Sequence, residues 1–517
     1  MSQRRKEPKI LLIYPPNQLM AIETPRPDGS LGPLYLAGAL ERAQFQVDVL
    51  DATVGTSEDT LESTFYHSVM QPNGLTRIGM SWERIQEVIE RGGYNVVGIS
   101  SNFTPQTRMA LKVAEIAKAI DPNILVVAGG INARNLADRF LRDGLVDAVC
   151  TTEGEKILVN LVQTWARGES LDGVDGIVLW RGGRCVWNPP KADSICENLD
   201  ELPFPAWEKL PFDKYEKIAS PHGVDMGGQG YRYAPIMTSR GCPFRCLFCH
   251  ISTEKSGHAS LTGGIGDLRM KSVDRVVEEV RLLKALGVTK VYFEDDSLLA
   301  KKARVKTIFT QLRDMGLHIA DVNGVNLVRF YKREPQGVEP DTEYMEHIRA
   351  AGFDQIVFPV ESGSQRVVDK YASGKIQLEV LDIPNLVRIA VRLGIVCPVN
   401  IMIGFPDETE AEMQQSIEIG KRLIDAGAPY VTFFIPIPFP GSRLYDIAIR
   451  DGHLGADFDP DLLNWKNAVM KNTVVPPERV VELRDYAWRT VNTEAHVSRR
   501  LRESVGARWS AAEGAVT

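Results

Sequence analysis

The sequence predicts an α/β protein built in two consecutive parts. Over roughly the first 195 residues, short β-branched runs alternate with helical patterns, the signature of a parallel sheet with crossover helices. The same alternation resumes at Ala234, after a connector at 196–230 rich in proline, glycine and polar residues. Several apolar runs end in small, polar loops, and such loops at strand carboxyl ends are where an open α/β sheet or a parallel barrel places its ligands.

A chain of 517 residues has room for about three domains and a large core. Apolar residues make up 44% and charged residues 25%, ordinary values for a globular protein. A net charge of -7 gives no basic footprint, which argues against nucleic acid as a partner. No apolar run is long enough to span a bilayer. Behind Arg4-Arg5-Lys6 the only apolar stretch is Ile10 to Tyr14, too short for a signal-peptide core. Seven cysteines in so long a chain do not make a secreted disulfide framework. The expectation is a cytoplasmic protein with no membrane partner, in which Cys150, Cys185, Cys196 and Cys397 act as small hydrophobes.

In chain order, the first strand is expected at Lys9 to Tyr14, stopped by Pro15-Pro16. A helix over Leu34 to Ala43 and a strand at Gln46 to Leu50 follow. Strands at Val96 to Ser100 and Ile124 to Ala128 flank a helix at Met109 to Ile120. In the second part, strands are expected at Ala234 to Thr238, Lys290 to Glu294, His318 to Val322, Gln355 to Val360, Val396 to Ile403 and Tyr430 to Pro436. Val273, Val276, Val277, Val280 and Leu283 share one face of a helix over Ser272 to Leu286, which Gly287 ends. Thr409 and Glu412 form a capping box. Gly263-Gly264-Ile265-Gly266 looks like a phosphate loop, but no strand precedes it and it reads as a flexible surface loop.

The most specific feature is Gly241-Cys242-Pro243-Phe244-Arg245-Cys246-Leu247-Phe248-Cys249, which places three thiols on one short loop. Thiolates are the usual ligands of iron–sulfur clusters, and a cubane normally takes four. The next cysteine, Cys397, lies far along the chain, so one iron stays open to a small molecule. A zinc site is the rival reading, but structural zinc is usually closed by a fourth Cys or His at short spacing, and His250 follows Cys249 too directly to serve.

This CxxxCxxC loop, with Phe248 before its third cysteine, resembles the signature of radical S-adenosylmethionine (SAM) enzymes. The resemblance implies a [4Fe-4S] cluster on Cys242, Cys246 and Cys249, whose open iron chelates SAM, and a partial (β/α)6 barrel of the TIM type. It further implies SAM contacts from Phe248, from Asp295 and Asp296 after the second strand, from Glu361-Ser362-Gly363-Ser364 after the fourth, and from the Gly404-Phe405-Pro406 turn. Paired acids at a strand end also serve as helix caps, and a carboxylate such as Glu361 also closes turns.

The first part resembles the Rossmann-like cobalamin-binding domain that precedes the radical module in many of these enzymes. The similar elements are the strand before Pro15-Pro16, Leu31-Gly32-Pro33-Leu34-Tyr35-Leu36-Ala37, Val97-Gly98-Ile99-Ser100, Gly129-Gly130-Ile131-Asn132-Ala133 and Thr152-Glu153-Gly154-Glu155. The implied cobalamin contacts are Ser100, Ser101, Gly129, Gly130, Glu153 and Gly154. Two departures stand out: the DxHxxG motif that supplies a histidine to cobalt elsewhere is absent, and Asn132 stands where the family often has histidine. No GxGxxG follows the first strand, as another nucleotide-binding domain would require.

The implied organisation is a cobalamin-binding domain at 1–195, a linker at 196–230 that includes Leu202-Pro203-Phe204-Pro205-Ala206-Trp207, a radical SAM barrel at 231–445, and a helical region at 446–517. In that last region Trp465, Tyr486 and Trp488 either cap the substrate cavity or pack, and the tail is disordered. The implied activity is a cobalamin-dependent methyltransferase acting on an unactivated carbon, or phosphorus, of a small molecule, through methylcobalamin and a 5'-deoxyadenosyl radical. Such enzymes usually serve specialised-metabolite biosynthesis such as antibiotic assembly, with flavodoxin or ferredoxin as electron donor. An oxidative cyclase or ring-rearranging enzyme with the same cofactors is the second reading. A non-catalytic cobalamin or iron–sulfur sensor is the third.

Overall fold

A computed structural model describes residues 7–20, 30–218, 231–257 and 261–498. The basic start Arg4-Arg5-Lys6, the end of the connector and the tail expected to be disordered lie outside the described residues. The described chain forms two compact units, one drawn from residues before 222 with the described part of 254–265, the other from 231–253 with 266–498.

The first unit is built on a seven-stranded sheet: β1 (Lys9–Tyr14), β2 (Gln46–Asp51), β3 (Val96–Ser100), β4 (Leu125–Gly129), β5 (Ala148–Cys150), β6 (Ile177–Arg181) and β7 (Arg184–Asn188), in the order β7-β6-β5-β4-β3-β1-β2. Its first five strands pair in parallel, as the alternation predicts. The last two form an antiparallel edge hairpin that the sequence reading missed. Helices α1 (Leu31–Arg42), α2 (Trp82–Gly92), α3 (Thr107–Ile120) and α4 (Gly154–Ala166) cover it. Ile10, Leu12, Val96 and Val127 bury one sheet face against Ile157, Leu161 and Trp165 of α4. The strand order reverses between β1 and β3, the switch point where such sheets leave a crevice.

The connector continues this unit as a packed strap. Ala206 N–H donates to the Leu34 carbonyl (3.0 Å) and the buried Tyr215 hydroxyl donates to Asp51 (2.7 Å). The Gly263-Gly264 segment, expected to be a flexible surface loop, is held in the same unit. Ile265 bridges Lys255, and Thr152 Oγ1 donates to the Thr262 carbonyl at 2.7 Å.

The second unit holds two parallel sheets. One comprises β8 (Tyr233–Ile236), β9 (Lys290–Phe293), β10 (His318–Asp321) and β11 (Phe353–Gln355); the other comprises β12 (Phe358–Glu361), β13 (Val399–Met402) and β14 (Val431–Phe434). The single fourth strand expected over Gln355 to Val360 is therefore broken into β11 and β12, and a bridge from Gln355 to Val396 links the two ladders. The break is stabilised by Asp321, whose Oδ2 accepts from Gly324 N–H (3.0 Å) and Val357 N–H (3.3 Å).

Helices α5 (Val273–Ala285), α6 (Lys302–Leu312), α7 (Thr342–Ala350), α8 (Gln365–Tyr371), α9 (Ile383–Arg392), α10 (Glu410–Asp425), α11 (Arg443–Arg450) and α12 (Pro477–Val491) complete this unit. Helix α5 buries the predicted valine face, and α10 begins with the predicted Thr409–Glu412 capping box. In the C-terminal region Trp465 packs on Phe434 (5.0 Å between ring centroids). Asn492 satisfies the edge strand by accepting from Val431 N–H at 2.7 Å.

Candidate functional site

The cysteine loop leaves the carboxyl end of β8, where a parallel barrel places its chemistry. Its entry needs glycine: Gly241 has φ +80, and a Cβ there would lie 2.4 Å from the Asp267 carbonyl oxygen. Backbone bonds then fix the loop. Gly241 N–H donates to Asp296 (2.9 Å), Cys242 N–H to the Gly266 carbonyl (3.2 Å) and Leu247 N–H to the Tyr371 carbonyl (2.8 Å). Leu444 N–H donates to the Leu247 carbonyl (2.8 Å) and Arg245 N–H to Ser373 Oγ (3.3 Å).

Cys246 is buried and Cys242 and Cys249 are half-buried, all as free thiols. Burial pushes the Cys246 thiol up to about 11 and raises that of Cys249; Cys246 feels Cys242, and Cys249 feels both, as neighbouring charges. Such thiols ionise when a metal or a cation compensates them. Among the described residues, no three His, Cys, Asp or Glu side chains gather around the point that one metal ion would occupy. A polynuclear cluster spreads its thiolates over separate irons, and this donor set fits it.

The SAM contacts expected from the sequence divide into two groups. Phe248, Asp296, Glu361 and Gly404 surround the cysteine loop or the turns tied to it. Phe248 packs beside Phe405 (6.1 Å between centroids), which stacks on Tyr371 (4.1 Å). Glu361 ends β12 with φ +69, beside a register shift between β12 and β13; a left-handed non-glycine residue at a bulge is a re-aimed one. Gly404, at φ +103, approaches so close to α12 that a Cβ would lie 2.4 Å from Val480 Cγ1.

Asp295 and Ser362 depart from expectation. Asp295 is fully buried and accepts from Thr238 N–H (2.9 Å), Thr238 Oγ1 (2.7 Å) and Ser239 Oγ (2.6 Å). Its carboxylate ties the end of β9 to the end of β8 instead of facing a ligand. Ser362 is likewise fully buried; its hydroxyl lies 3.1 Å from Ser416 Oγ and accepts from Ser364 N–H (3.1 Å), holding a turn.

Two residues here escaped the sequence reading. Lys375 pairs with Glu361 at 2.5 Å, and its charge bears on both Cys246 and Cys242. Glu408, fully buried, accepts from Gly404 N–H (2.7 Å) and Phe405 N–H (3.0 Å) through one oxygen, while the other has no partner. Burial pushes its carboxyl up to about 7. The glutamate just beyond the Gly404–Pro406 turn was the available signal for Glu408; nothing local announces Lys375.

In the first unit, the expected cobalamin contacts share one edge of the sheet, at the carboxyl ends of three neighbouring strands. Ser100 lies beside Gly129 in register, and Ser101 N–H donates to the Gly129 carbonyl (2.8 Å). Gly130 has φ +101, and a Cβ there would lie 2.5 Å from the Ser101 carbonyl oxygen. Glu153 and Gly154 begin α4 after β5, and a Cβ on Gly154 would meet Leu36 at 2.8 Å. Asn132 is buried within this cluster and donates to Ser101 Oγ (2.9 Å) and Thr107 Oγ1 (3.0 Å). A crevice at the switch point is lined by Tyr14, Pro16, Ser100, Asn102, Phe103 and Gln106.

Comparison with known proteins agrees in both units. The family model described as B12 binding domain matches residues 29–162, and that of the Radical SAM superfamily matches residues 236–419. An uncharacterized methyltransferase of Pyrococcus horikoshii is 29% identical over 96% of this chain and 93% of its own. A cytidylyl-2-hydroxyethylphosphonate methyltransferase of Streptomyces wedmorensis is 28% identical over 90% of this chain and 86% of its own. Among solved structures, the radical SAM methyltransferase TsrM of Kitasatospora setae, determined with cobalamin and a [4Fe-4S] cluster, superposes with a TM-score of 0.60 at 16% identity, covering 87% of this chain and 80% of that one. That superposition extends over most of both chains and shows a shared fold.

Proposed function

Because the chain belongs to the cobalamin-dependent radical SAM enzymes, joining a B12-binding domain to a radical SAM domain, we propose that it methylates an unactivated carbon, or a phosphorus, of a small molecule. Its cofactors are cobalamin, SAM and a [4Fe-4S] cluster. When bound, they supply the methyl group and the hydrogen-abstracting radical, and the protein holds and shields the reagents.

The observation that carries this reading is the pairing, in one chain, of a three-thiol loop at a barrel strand end with a cluster of small-residue loops at the edge of an open α/β sheet. In this reading Cys242, Cys246 and Cys249 hold the cluster and leave one iron for the amino acid end of SAM. Asp296 and Glu361 are the acceptors assigned to the ammonium, while Phe248 and the Gly404–Pro406 turn flank the adenine. Ser100, Gly129, Gly130, Glu153 and Gly154 border cobalamin, and Ser101 shapes their loop from beneath. The near full-length similarity to an enzyme named for a small phosphonate substrate supports a small-molecule substrate here. A low-potential donor of the flavodoxin or ferredoxin class delivers the electrons, in a reducing cytoplasm where the four cysteines outside the loop stay as thiols.

Anaerobically reconstituted protein, given cobalamin, SAM and a strong reductant, tests the proposal through mass spectrometry of the small molecules. Formation of both 5'-deoxyadenosine and S-adenosylhomocysteine is the expected result. 5'-Deoxyadenosine without S-adenosylhomocysteine would point to cyclisation or rearrangement, and neither product would leave a sensor.

A further inference from the structure

Arg134 and Glu254 form a buried ion pair that joins residues 120 positions apart within the first unit. Their side chains are only 7% and 9% exposed. Desolvating two charges offsets most of what their attraction returns, so an apolar pair would serve stability as well, whereas loss of one partner strands a buried charge. What the pair holds in place explains it better than stability does. Arg134 lies in the short helix Ile131–Asn135, directly after Gly129-Gly130, and its N–H donates to the Gly130 carbonyl (3.1 Å). One arm of its guanidinium donates to Glu254 and the other to the Thr151 carbonyl (3.4 Å), at the root of the loop that carries Glu153 and Gly154. The pairing of β4 with β5 ends at Ala128 and Val149. Past the end of that ladder, Arg134 ties the two loops together.

The stretch that supplies Glu254 makes a second link to the same place, where Thr152 Oγ1 donates to the Thr262 carbonyl at 2.7 Å. The bridge between Lys255 and Ile265 folds this stretch back on itself. Gly263, at φ +71, lets it run close to the sheet's last turn of connector: a Cβ there would lie 2.2 Å from Ile195 Cδ1. Within the reading of Gly129, Gly130, Glu153 and Gly154 as cobalamin contacts, on which this inference rests, we propose that Arg134 and Glu254 are positioning residues for that cofactor: Glu254 aims the guanidinium that sets the spacing between the loop after β4 and the loop after β5. An arginine suits the task because its donors are fixed in one plane and serve a carboxylate and a carbonyl at once, which a lysine ammonium on a flexible stem does not. The acid is absent from the part of the chain that builds the sheet and lies five residues past Cys249. The cobalamin loops are therefore completed by a segment that follows the cysteine loop in sequence.

The full chain is equilibrated by dialysis against hydroxocobalamin, and the bound fraction is read from its visible spectrum to give a Kd for each variant. Glu254→Gln is expected to weaken cobalamin binding about tenfold, equivalent to about 1.4 kcal/mol. Arg134→Lys, which keeps the charge opposite Glu254 but gives up the fork to the Thr151 carbonyl, should weaken it severalfold. Lys118→Met is the control for stability alone: it breaks the Lys118–Asp147 pair (2.7 Å) of the same unit, at the opposite, amino-terminal edge of β4 and β5, and should leave the Kd unchanged. An unchanged Kd in Glu254→Gln overturns the proposal, and so does a loss in Lys118→Met as large as that in Glu254→Gln. If Glu254→Gln fails to fold, an Arg134→Lys protein with wild-type affinity overturns it equally. A wild-type chain that binds no cobalamin removes the cofactor reading and this inference with it, whereas a wild type that binds it beside insensitive variants removes the inference alone.

Discussion

At the scale of single residues, the division between ligand and scaffold followed burial and hydrogen-bond saturation. The Asp295-Asp296 pair is identical in chemistry, yet Asp295 spends both oxygens on Thr238 and Ser239 while Asp296 reaches the entry of the cysteine loop. Nothing in a one-dimensional pattern distinguishes two adjacent carboxylates, because which one turns inward depends on the strand's pleat. Asp321 shows the same inward turn with a different outcome. It is fully buried, one oxygen has no partner, and burial pushes its carboxyl up to about 8, against about 3.9 for a solvated aspartate. Between those values the folded state holds a proton that the unfolded state has lost, so this group's contribution makes stability fall as pH rises from about 4 towards 8. Asp321→Asn, an isostere of the protonated form, is expected to match the wild type in urea denaturation near pH 4 and to exceed it near pH 8. Equal stability at both pH values would refute that account.

At the scale of elements, periodicity located the helices well, because an apolar face such as that of α5 must repeat at the helical period to be buried at all. Capping boxes were legible for the same local reason. The fourth barrel strand was not, because an apolar run from Gln355 to Val360 carries no mark of where the ladder breaks; the break depends on Asp321, distant in sequence, accepting from Val357 N–H. The Gly404 turn is also a tertiary feature, since the approach of Val480 on α12 adds a clash to the backbone strain that a side chain at φ +103 meets. Gly404→Ala should destabilise by roughly 2–5 kcal/mol through left-handed strain plus overpacking. On a Val480→Ala background the same change should cost only the backbone part, about 1–2 kcal/mol. Denaturant midpoints of the four proteins in that cycle check both figures.

At the scale of the whole molecule, each unit has its own buried core, one beneath α4 and one around Tyr371, Phe405 and Leu444, and a domain with its own core is in principle able to fold alone. Replacing Cys242, Cys246 and Cys249 together by alanine is therefore expected to abolish iron binding while leaving cobalamin binding unchanged, read from the visible spectrum after desalting. Loss of cobalamin in that variant would mean that the sites are obligately coupled. Among the described residues no helix is long and apolar enough to cross a membrane, in keeping with the absence of a long apolar run in the sequence. By itself the sequence determined the α/β class, the parallel alternation and the three-thiol loop, because spacing and periodicity are local properties that survive without coordinates. Only the tertiary structure decided that Asp295 and Ser362 are scaffold, that the fourth strand breaks, that the connector packs as a strap, and that Lys375 pairs with Glu361. Those facts are set by contacts between residues far apart in the chain, and by which side chains the packing leaves without water.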